Sequence, residues 1–587
     1  IYSQAQASRS IGGNARRASH NPPDPVSLDI YDRLGMVVIN ENRLFANNTR
    51  YVQNMADLVL RDRNHPSVII WSFCNEVGCE DFHEYGGPSF QNITKTLDPT
   101  RPTLANMFTY NDLLSNTIDI QGFSHQSRAK LDECHKQLPN KPIVQSECCS
   151  CNTMRNEDEG CETYNDNPHT TCNQKSFNGR CLEKLVNASD GTEYASGTFV
   201  WTLFDYYGEP PSKGLTVSST YGQYDLCGFP KSAAFWFRSQ WLLQSPASPS
   251  YGIISSSSST STSSINNGKP FSSNGIVEVH IVESWESPEN WKETKGNTTR
   301  TIHAYSNAPV IELFVNAGGS SGSNESTKSR SRSQSQGKRY LATMNQGDQG
   351  TYGEWFDVRW EFGSITAIAQ TIDGAELART TKKTNVVSAD VAVASIRSDN
   401  DDSNGVSLVL SLDCPSPNTG TGNALFLDGQ DVALVRATIV DSTGTNTLYF
   451  AVHNITFRII SGPGYIQGTA NGDPKSYQSH TSKSQTAYHG LVRAVVRVTS
   501  VVGLSSHEKD MIQQIETIAI VLDDEEADDD NDDIHRLSFK DDRDIVLEAT
   551  SPGLAPTRLV IPTSTNQDME SVLAIASQGA NRPVNFF

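Results

Sequence analysis

The first 245 residues alternate between short β-rich runs and polar or helix-forming stretches, and this alternation most constrains the fold. Strands that are joined through a helix lie parallel in one sheet, whereas strands joined by tight turns pair antiparallel. The predicted strands cover 14–19, 36–41, 67–73, 102–107, 118–123, 142–147 and 197–206. Seven such strands are one short of a (β/α)8 barrel, so we predict an incomplete TIM barrel over residues 1–245.

One of the intervening stretches has the periodicity of an amphipathic helix. Within 51–61, the apolar residues Val52, Met55, Val59 and Leu60 recur at helical spacing. We expect a helix here, with these four side chains on one face.

Three of the predicted strands end at or just before a glutamate. These glutamates are Glu41, Glu76 and Glu147. The carboxyl ends of barrel strands meet at one face, where the catalytic groups of such barrels lie. A buried carboxylate at the end of an apolar strand costs free energy unless the site uses the charge. Glu76 and Glu147 are therefore candidates to face each other across a sugar, as glycoside hydrolysis requires. A structural capping role for Glu76 is the alternative.

The sequence pattern changes after residue 245. A Ser/Thr-rich segment over 246–275 indicates a linker or a surface insertion. Alternating strands with Gly, Asn and Asp turns then predict a β-sandwich domain over 276–390 and a C-terminal one over 391–587, both of immunoglobulin-like size. The run 523–533 carries nine acids and indicates a solvated surface insertion in the last domain.

Charge and hydropathy exclude two classes of partner. A net charge of −20 argues against nucleic acid, because phosphates would repel the chain. No apolar run approaches the roughly 18 residues that cross a bilayer, so we predict no membrane span. The first residues lack an initiator methionine and the apolar core of a signal peptide, which is expected of a chain that begins within a domain.

Cysteines are concentrated in one part of the chain, since ten of the eleven lie between Cys74 and Cys227. Three of them stand in the polar segment 152–192, which would gain most from disulfide bonds and predicts an oxidising compartment. Six Asn-x-Ser/Thr sequons permit glycosylation. We therefore expect a glycoprotein of an extracellular, secretory or lysosome-like compartment.

The cysteines that follow Glu147 have several interpretations. Cys148 either pairs with a nearby cysteine and stiffens this turn or packs as a free thiol. A zinc site made by Cys148, Cys149 and Cys151 would need a second Cys-x-x-Cys or a His pair at zinc spacing, which the sequence does not offer.

Several motifs resemble glycoside hydrolase family 2, which contains β-galactosidases, β-glucuronidases and β-mannosidases. NHPSVIIWSFCNE, which ends at Glu76, resembles the acid/base signature of this family, and PIVQSE, which ends at Glu147, resembles its nucleophile strand. The other similar segments, in the order of the family, are RASHNPP (17–23), GTFVWTLFDYYGEP (197–210), GFPKSAAFWFRSQW (228–241), HAYSNAPVIELFVN (303–316), LDGQDVALVRATIVD (427–441) and GPGYIQGTANGDP (462–474). The resemblance runs nearly from end to end.

The resemblance implies a role for each of five residues. Glu76 would be the general acid/base and Glu147 the nucleophile of a reaction that retains the anomeric configuration. Asn75 would hydrogen-bond the 2-hydroxyl of the sugar, and His20 would contact the transition state. Trp201 would provide an aromatic platform for the sugar, although a core position would also suit it.

Four further residues are expected in or around the pocket. Glu41 either lines the pocket or is structural. The family has Asn-Tyr after the strand at 118–123, whereas this chain has GFSHQ, so His125 stands where the tyrosine would contact the nucleophile. A histidine can also donate to a carboxylate. Asp205 and Glu209 are predicted to be wall and scaffold.

The predicted substrate is a neutral, galactose-like β-glycoside. The β-glucuronidases of the family carry an Asn-x-Lys that clamps the uronate, and the aligned positions here, Ser219, Thr220 and Tyr221, provide no cation. Lys213 is the nearby cation that would reverse this prediction. The acid/base motif also differs from that of β-mannosidase-like members. A β-glucuronidase or another β-glycosidase of the family is the alternative.

The family normally carries a jelly-roll sugar-binding domain, an immunoglobulin-like domain and a first barrel strand before the segment that begins here. Without them, the resemblance also fits a catalytically impaired relative that acts as a carbohydrate-binding or structural protein. A carbohydrate β-glycoside is the expected partner, and no cofactor is predicted. The sequence leaves open a requirement for a divalent or monovalent cation and the formation of a homo-oligomer.

Overall fold

The computed structural model describes residues 1–80, 83–110, 112–155, 192–210, 216–242, 277–288, 298–317, 338–343, 352–384, 406–416, 421–441, 444, 446–499 and 544–564. The predicted linker 246–275, the acidic run 523–533 and Lys213 lie outside these residues. The chain divides into two compact units, Ile1–Thr384 and Asn385–Phe587. No helix in the described ranges combines the length and apolar character that a membrane crossing requires.

The first unit begins with a parallel sheet of seven strands, whose spatial order follows the sequence. The strands are β1 (Ala15–Ala18), β2 (Val37–Glu41), β3 (Val68–Asn75), β4 (Thr103–Met107), β5 (Ile120–Ser124), β6 (Ile143–Cys148) and β7 (Ala195–Val200). The helices are α1 (Tyr2–Ser10), α2 (Pro25–Leu34), α3 (Thr49–Asp62), α4 (Val77–Glu80), α5 (His83–Leu97), α6 (Asp112–Thr117), α7 (Arg128–Gln137) and α8 (Ser232–Trp241). The prediction of an incomplete TIM barrel is confirmed.

Two details of the barrel differ from the prediction. Strand β7 ends at Val200 rather than at Tyr206. The Trp201 amide still donates to the Cys148 carbonyl of β6 at 2.7 Å, but the amides of Thr202 and Asp205 donate to the carbonyls of Tyr221 and Tyr224 instead. Helix α3 buries Met55 and Val59 as expected. Leu60, however, is 45% exposed, so the four apolar residues do not all lie on the buried part of the helix.

The inward-facing positions of the barrel strands change from apolar to polar toward their carboxyl ends. One inner layer is apolar and contains Ile39, Ile70, Leu104 and Val144, all buried. Two residues further along the same strands stand Glu41, Ser72, Asn106 and Ser146, which are also buried. Because side chains alternate with a period of two, each polar residue points to the same side as its apolar predecessor. The strands thus deliver a polar layer to one end of the barrel.

A β-sandwich completes the first unit. One sheet has the order β11-β10-β13-β14 and the other β12-β9-β8. Its strands are β8 (Val279–Ile281), β9 (Thr299–Ser306), β10 (Val310–Ala317), β11 (Lys338–Thr343), β12 (Tyr352–Arg359), β13 (Gly363–Gln370) and β14 (Glu376–Lys383). The core between the sheets includes Ile302, Leu313 and Trp355.

A buried histidine lies between two carboxylates in this sandwich. Nδ1 of His303 lies 2.6 Å from Glu283 Oε1, and its Nε2 lies 3.1 Å from Glu354 Oε1. Burial lowers the pKa of His303, but the two carboxylates outweigh this effect and the net pKa is raised. The imidazolium therefore acts as a charged link between the two acids.

We expect the stabilisation from this link to depend on pH. Since the pKa of His303 is higher in the folded state, the stabilisation is complete below the ordinary pKa of 6.5 and disappears as the pH rises through the raised value. The thermal midpoint of the wild type should therefore exceed that of Glu354→Gln at about pH 6, and the difference should shrink toward about pH 9. A difference that stays constant over this range would contradict the assignment.

The second unit contains the other predicted β-sandwich. Its sheets have the orders β15-β17-β21-β19 and β20-β18-β22-β23, and β16 pairs with β24. The strands are β15 (Val406–Cys414), β16 (Leu425–Phe426), β17 (Val432–Asp441), β18 (Asn454–Ser461), β19 (Gly464–Ala470), β20 (Ser484–Thr486), β21 (Leu491–Val498), β22 (Ile545–Ser551), β23 (Leu554–Ile561) and β24 (Thr563–Ser564). Alternate residues such as Val435, Val496 and Leu547 form its core.

Candidate active site

The two glutamates singled out in the sequence lie together at the carboxyl end of the barrel. Glu76 directly follows β3, and Glu147 lies in β6. A carboxylate oxygen of Glu76, a carboxylate oxygen of Glu147 and a ring nitrogen of His125 all lie within 4.8 Å of one another. Retaining glycosidases hold their two carboxyl groups about 5–5.5 Å apart, whereas inverting enzymes separate them by about 6.5–9.5 Å. The oxygens of Glu76 and Glu147, at most 4.8 Å apart, are closer than the inverting range and near the retaining range.

Glu147 is held in its ionised form by three donors. Its Oε2 accepts from Arg17 Nη1 at 2.6 Å, its Oε1 lies 3.1 Å from His125 Nε2, and Asn106 Nδ2 donates to Oε2 at 3.5 Å. Burial raises the pKa of Glu147, but the hydrogen bond from His125 and the charge of Arg17 prevail and lower the pKa to about 2. The carboxylate therefore carries a negative charge across the neutral pH range.

Glu76 has a different environment. It is half-buried, its backbone has a positive φ of 48°, and its amide donates to the Asn106 carbonyl at 2.6 Å. Oε1 of Glu76 accepts from the Ser124 hydroxyl at 2.6 Å. Glu76, which contacts Ser124, and Glu147, which contacts Arg17, thus have different surroundings. A pair of carboxyl groups needs such a difference if one is to act as the acid and the other as the nucleophile.

Arg17 is the centre of the polar layer, and the sequence did not single it out as a site residue. Its Nε and Nη2 donate to the two oxygens of Glu41, each at 2.8 Å. Its Nη2 also donates to Asn75 Oδ1 at 2.7 Å. The alternation of side chains along β1 could have identified Arg17. Arg16 lies over the ring of Tyr31, so its neighbour Arg17 points to the opposite side, into the barrel.

Asn106 and Ser124 were also missed. Asn106 Nδ2 donates to Asn75 Oδ1 at 2.7 Å, and its Oδ1 accepts from the Ser146 hydroxyl at 2.6 Å. Both missed residues are uncharged and lie in runs that have the pattern of ordinary strands. Only the inward alternation of β4 and β5 distinguishes them.

The structure also brings His20, Glu41 and Trp201 to this site. The rings of His20 and Trp201 stack with centroids 5.0 Å apart and planes 19° apart. Nδ1 of His20 lies 3.2 Å from Glu41 Oε1, and its Nε2 lies 4.0 Å from Glu147 Oε2. Glu41 is fully buried against Arg17 and the Ser72 hydroxyl. It therefore lies beneath the site and orients Arg17 and His20.

Asp205 has the contacts of a scaffold residue. It is buried and accepts from Lys231 Nζ at 2.7 Å and from the Gly222 amide at 2.8 Å. Glu209 accepts a hydrogen bond from the Tyr206 hydroxyl, which in turn accepts from Trp201.

The positions aligned with the uronate clamp are also buried. Ser219 and Thr220 have at most 1% exposure, and Tyr221 has 6%. The Ser219 hydroxyl accepts from the Tyr206 amide at 3.1 Å, and the Thr220 hydroxyl donates to Asn152 Oδ1 at 2.9 Å. These contacts tie the segment into the protein rather than to a ligand.

Two groups of described side chains have the chemistry of metal ligands. One is Glu76, His125 and Glu147, and the other is Asp29, Asp32 and His65. In the first group, Glu147 already forms an ion pair with Arg17 and accepts a hydrogen bond from His125.

We predict that His125 controls the ionisation of Glu147. Replacing it in His125→Phe removes the hydrogen bond that favours the carboxylate, so the pKa of Glu147 should rise from about 2. The acidic limb of the pH profile of kcat/KM should then move to higher pH. His135→Phe is the matched control, because this histidine lies on α7 and stacks on Tyr194. An unchanged acidic limb in His125→Phe would show that the contact is not used.

The fold and the carboxylate pair place the chain among barrel proteins with an acidic site at the carboxyl ends of the strands. Residues 3–241 match the family model described as "Glycosyl hydrolases family 2, TIM barrel domain". Residues 420–505 match "Glycoside hydrolase family 2 C-terminal domain 5", and 297–378 match a domain family of unknown function. Residues 3–241 and 420–505 thus match models of glycoside hydrolase family 2.

Curated relatives and solved structures are also similar to this chain. A β-galactosidase of Bacteroides ovatus is 23% identical over 85% of this chain and 56% of its own length. The β-glucuronidase of Sus scrofa is 27% identical over 40% of this chain and 39% of its own length. A family 2 member from Bacteroides cellulosilyticus has a similar fold, with a TM-score of 0.62 and 20% identity over 95% of this chain and 58% of that one. The chain thus spans 56% and 39% of the lengths of these two curated relatives.

Proposed function

We propose that this chain is a retaining exo-β-glycosidase that hydrolyses terminal β-D-galactosides by double displacement. The observation that carries the proposal is the approach of Glu76 and Glu147 to within 4.8 Å. The ionised state of Glu147 supports it further.

The first step forms a glycosyl ester. The ionised Glu147 attacks the anomeric carbon while the bond to the leaving oxygen breaks, and Glu76 donates a proton to that oxygen. The hydrogen bond from the Ser124 hydroxyl to Oε1 of Glu76 orients the carboxyl group that delivers this proton.

The second step releases the sugar. Glu76, now a carboxylate, removes a proton from water as the water attacks the anomeric carbon, and the ester bond to Glu147 breaks. Because both steps displace the anomeric substituent with inversion, the product retains the β configuration.

The other site residues would position the sugar. Oδ1 of Asn75 accepts from both Arg17 and Asn106, which orients its Nδ2 to donate to the 2-hydroxyl. Trp201 presents a half-buried indole, braced by His20, to the apolar face of the sugar.

The proposal of a neutral sugar rests on the segment Ser219–Tyr221, which is buried and carries no cation. A uronate carboxylate bound without a cation would lose its solvation without compensation. A β-glucuronide is the second candidate, because several relatives are described as β-glucuronidases at 27–29% identity over about 40% of this chain.

A panel of p-nitrophenyl glycosides tests the substrate. We expect kcat/KM for the β-galactoside to exceed that for the β-glucuronide and the β-mannoside, and the α-galactoside to be inert. A preference for the β-glucuronide would overturn the proposed sugar but leave the proposed double displacement in place. Failure to hydrolyse any β-glycoside would favour the carbohydrate-binding or structural alternative.

A further inference from the structure

Two pairs of cysteines lie at the two turns that carry the proposed catalytic carboxylates. Cys74 is disulfide-bonded to Cys79, and Cys148 to Cys149. The first bond encloses the segment 75–78, which contains Glu76, and the second directly follows Glu147. Within the described part of the chain, two disulfides join pairs of cysteines. Each of them lies beside a proposed catalytic carboxylate.

The turn that carries Glu76 has two backbone hydrogen bonds, from the Glu76 amide to the Asn106 carbonyl at 2.6 Å and from the Cys79 amide to the Glu76 carbonyl at 2.8 Å. Its backbone has a positive φ, which is uncommon for a residue other than glycine. Val77 is 54% exposed, a side chain added at Gly78 would meet open space, and the following helix α4 has four residues. A covalent link from Cys74 in β3 to Cys79 in α4 closes this turn with a Cα–Cα distance of 5.2 Å.

The turn after Glu147 has a similar character. Cys149 and Ser150 both have positive φ, at 92° and 21°. The bond between the adjacent cysteines closes a small ring that includes the peptide between them, and this ring restricts the backbone directly after Glu147. The Cys148 carbonyl also accepts from the Trp201 amide at 2.7 Å, so the same turn is joined to the residue proposed as the sugar platform.

We propose that these two disulfides are positioning devices that hold Glu76 and Glu147 at the separation the double displacement needs. The inference rests on the proposed function. A misplacement of about 1 Å between reacting groups can cost about 10²-fold in rate. Each pair forms when two thiols lose two electrons and two protons to a thiol–disulfide oxidant, which becomes a dithiol. The proposed location is accordingly an oxidising extracellular or secretory compartment.

The test separates a cross-link from ordinary packing. For Cys74→Ala, Cys79→Ala and the double variant, we expect kcat to fall by about 10–10²-fold with a much smaller change in KM. All three losses should be equal, because removing either sulfur breaks the same bond. Additive losses, or an unchanged kcat in the double variant, would overturn the proposal. The Cys148/Cys149 pair is tested in the same way, and Cys134→Ala is the control for loss of a buried thiol.

Two measurements on the wild type remain decisive if a variant fails to fold. Peptide mapping without reductant should recover the Cys74–Cys79 and Cys148–Cys149 bonds, and recovery of free thiols would refute them. Treatment with tris(2-carboxyethyl)phosphine, which takes up oxygen from water as it reduces each disulfide to two thiols, should lower kcat while circular dichroism stays native. A fully reduced protein with unchanged kcat would overturn the proposal. If the untreated protein hydrolyses no β-glycoside, the proposed function fails, whereas peptide mapping still reports the bonds.

Discussion

Glu147→Gln is expected to reduce kcat by about 10⁴-fold or more on every β-glycoside that the wild type hydrolyses. Glutamine has nearly the same shape but no negative charge, so it cannot form the glycosyl ester on which both steps depend. Because Arg17 and His125 surround this position, the substitution also leaves Arg17 with one acidic partner fewer. The measurement is single-turnover and steady-state kinetics with a p-nitrophenyl glycoside.

The control for this substitution is Glu133→Gln, which makes the same chemical change on the exposed face of α7, where Glu133 pairs with Lys130. Its kcat should equal that of the wild type. Thermal unfolding of both variants checks that the barrel remains folded. Activity of Glu147→Gln close to that of the wild type would remove Glu147 from the mechanism, whatever the behaviour of Glu76.

Arg17→Ala should produce the largest loss of stability of any single substitution in the polar layer. Arg17 is buried and donates to both oxygens of Glu41, which has no exposed surface. Removing one partner of a buried ion pair leaves an uncompensated charge and typically costs about 3–5 kcal/mol. We expect the free energy of unfolding, measured by urea denaturation, to fall by about this amount.

Arg16→Ala is the matched control, because Arg16 is the neighbour of Arg17 on β1 but lies over the ring of Tyr31 at 5.7 Å. Its loss should cost about 1 kcal/mol or less. Arg17→Lys should recover only part of the stability, since an ammonium keeps the charge but lacks the planar fork that contacts Glu41. Equal losses from Arg16→Ala and Arg17→Ala would show that the network around Glu41 does not stabilise the barrel.

Several strands of the barrel were predictable because parallel strands that are buried on both faces contain apolar runs. The run 67–73 became β3, and 142–147 became β6. Strand–helix alternation then fixed the order of the sheet, and the carboxyl ends of the strands brought Glu41, Glu76 and Glu147 to one face.

The rest of the site depends on information that the pattern does not contain. The boundary of β7 depends on the segment 221–224, which lies further along the chain and whose carbonyls accept from the Thr202 and Asp205 amides. Arg17 is one of two adjacent arginines, and only the phase of a short strand decides which one enters the barrel. The exposure of Leu60 likewise depends on where α3 meets the sheet, which hydrophobic periodicity fixes only to within a residue or two.

The measurement that tests the central claim most directly is the configuration of the first sugar released. The glycoside that the panel identifies as the best substrate is hydrolysed in the ¹H NMR spectrometer, and the anomeric signals are followed before mutarotation. Carboxylates within 4.8 Å of each other predict that the β anomer appears first and the α anomer only later. Initial release of the α anomer would contradict the double displacement through Glu147.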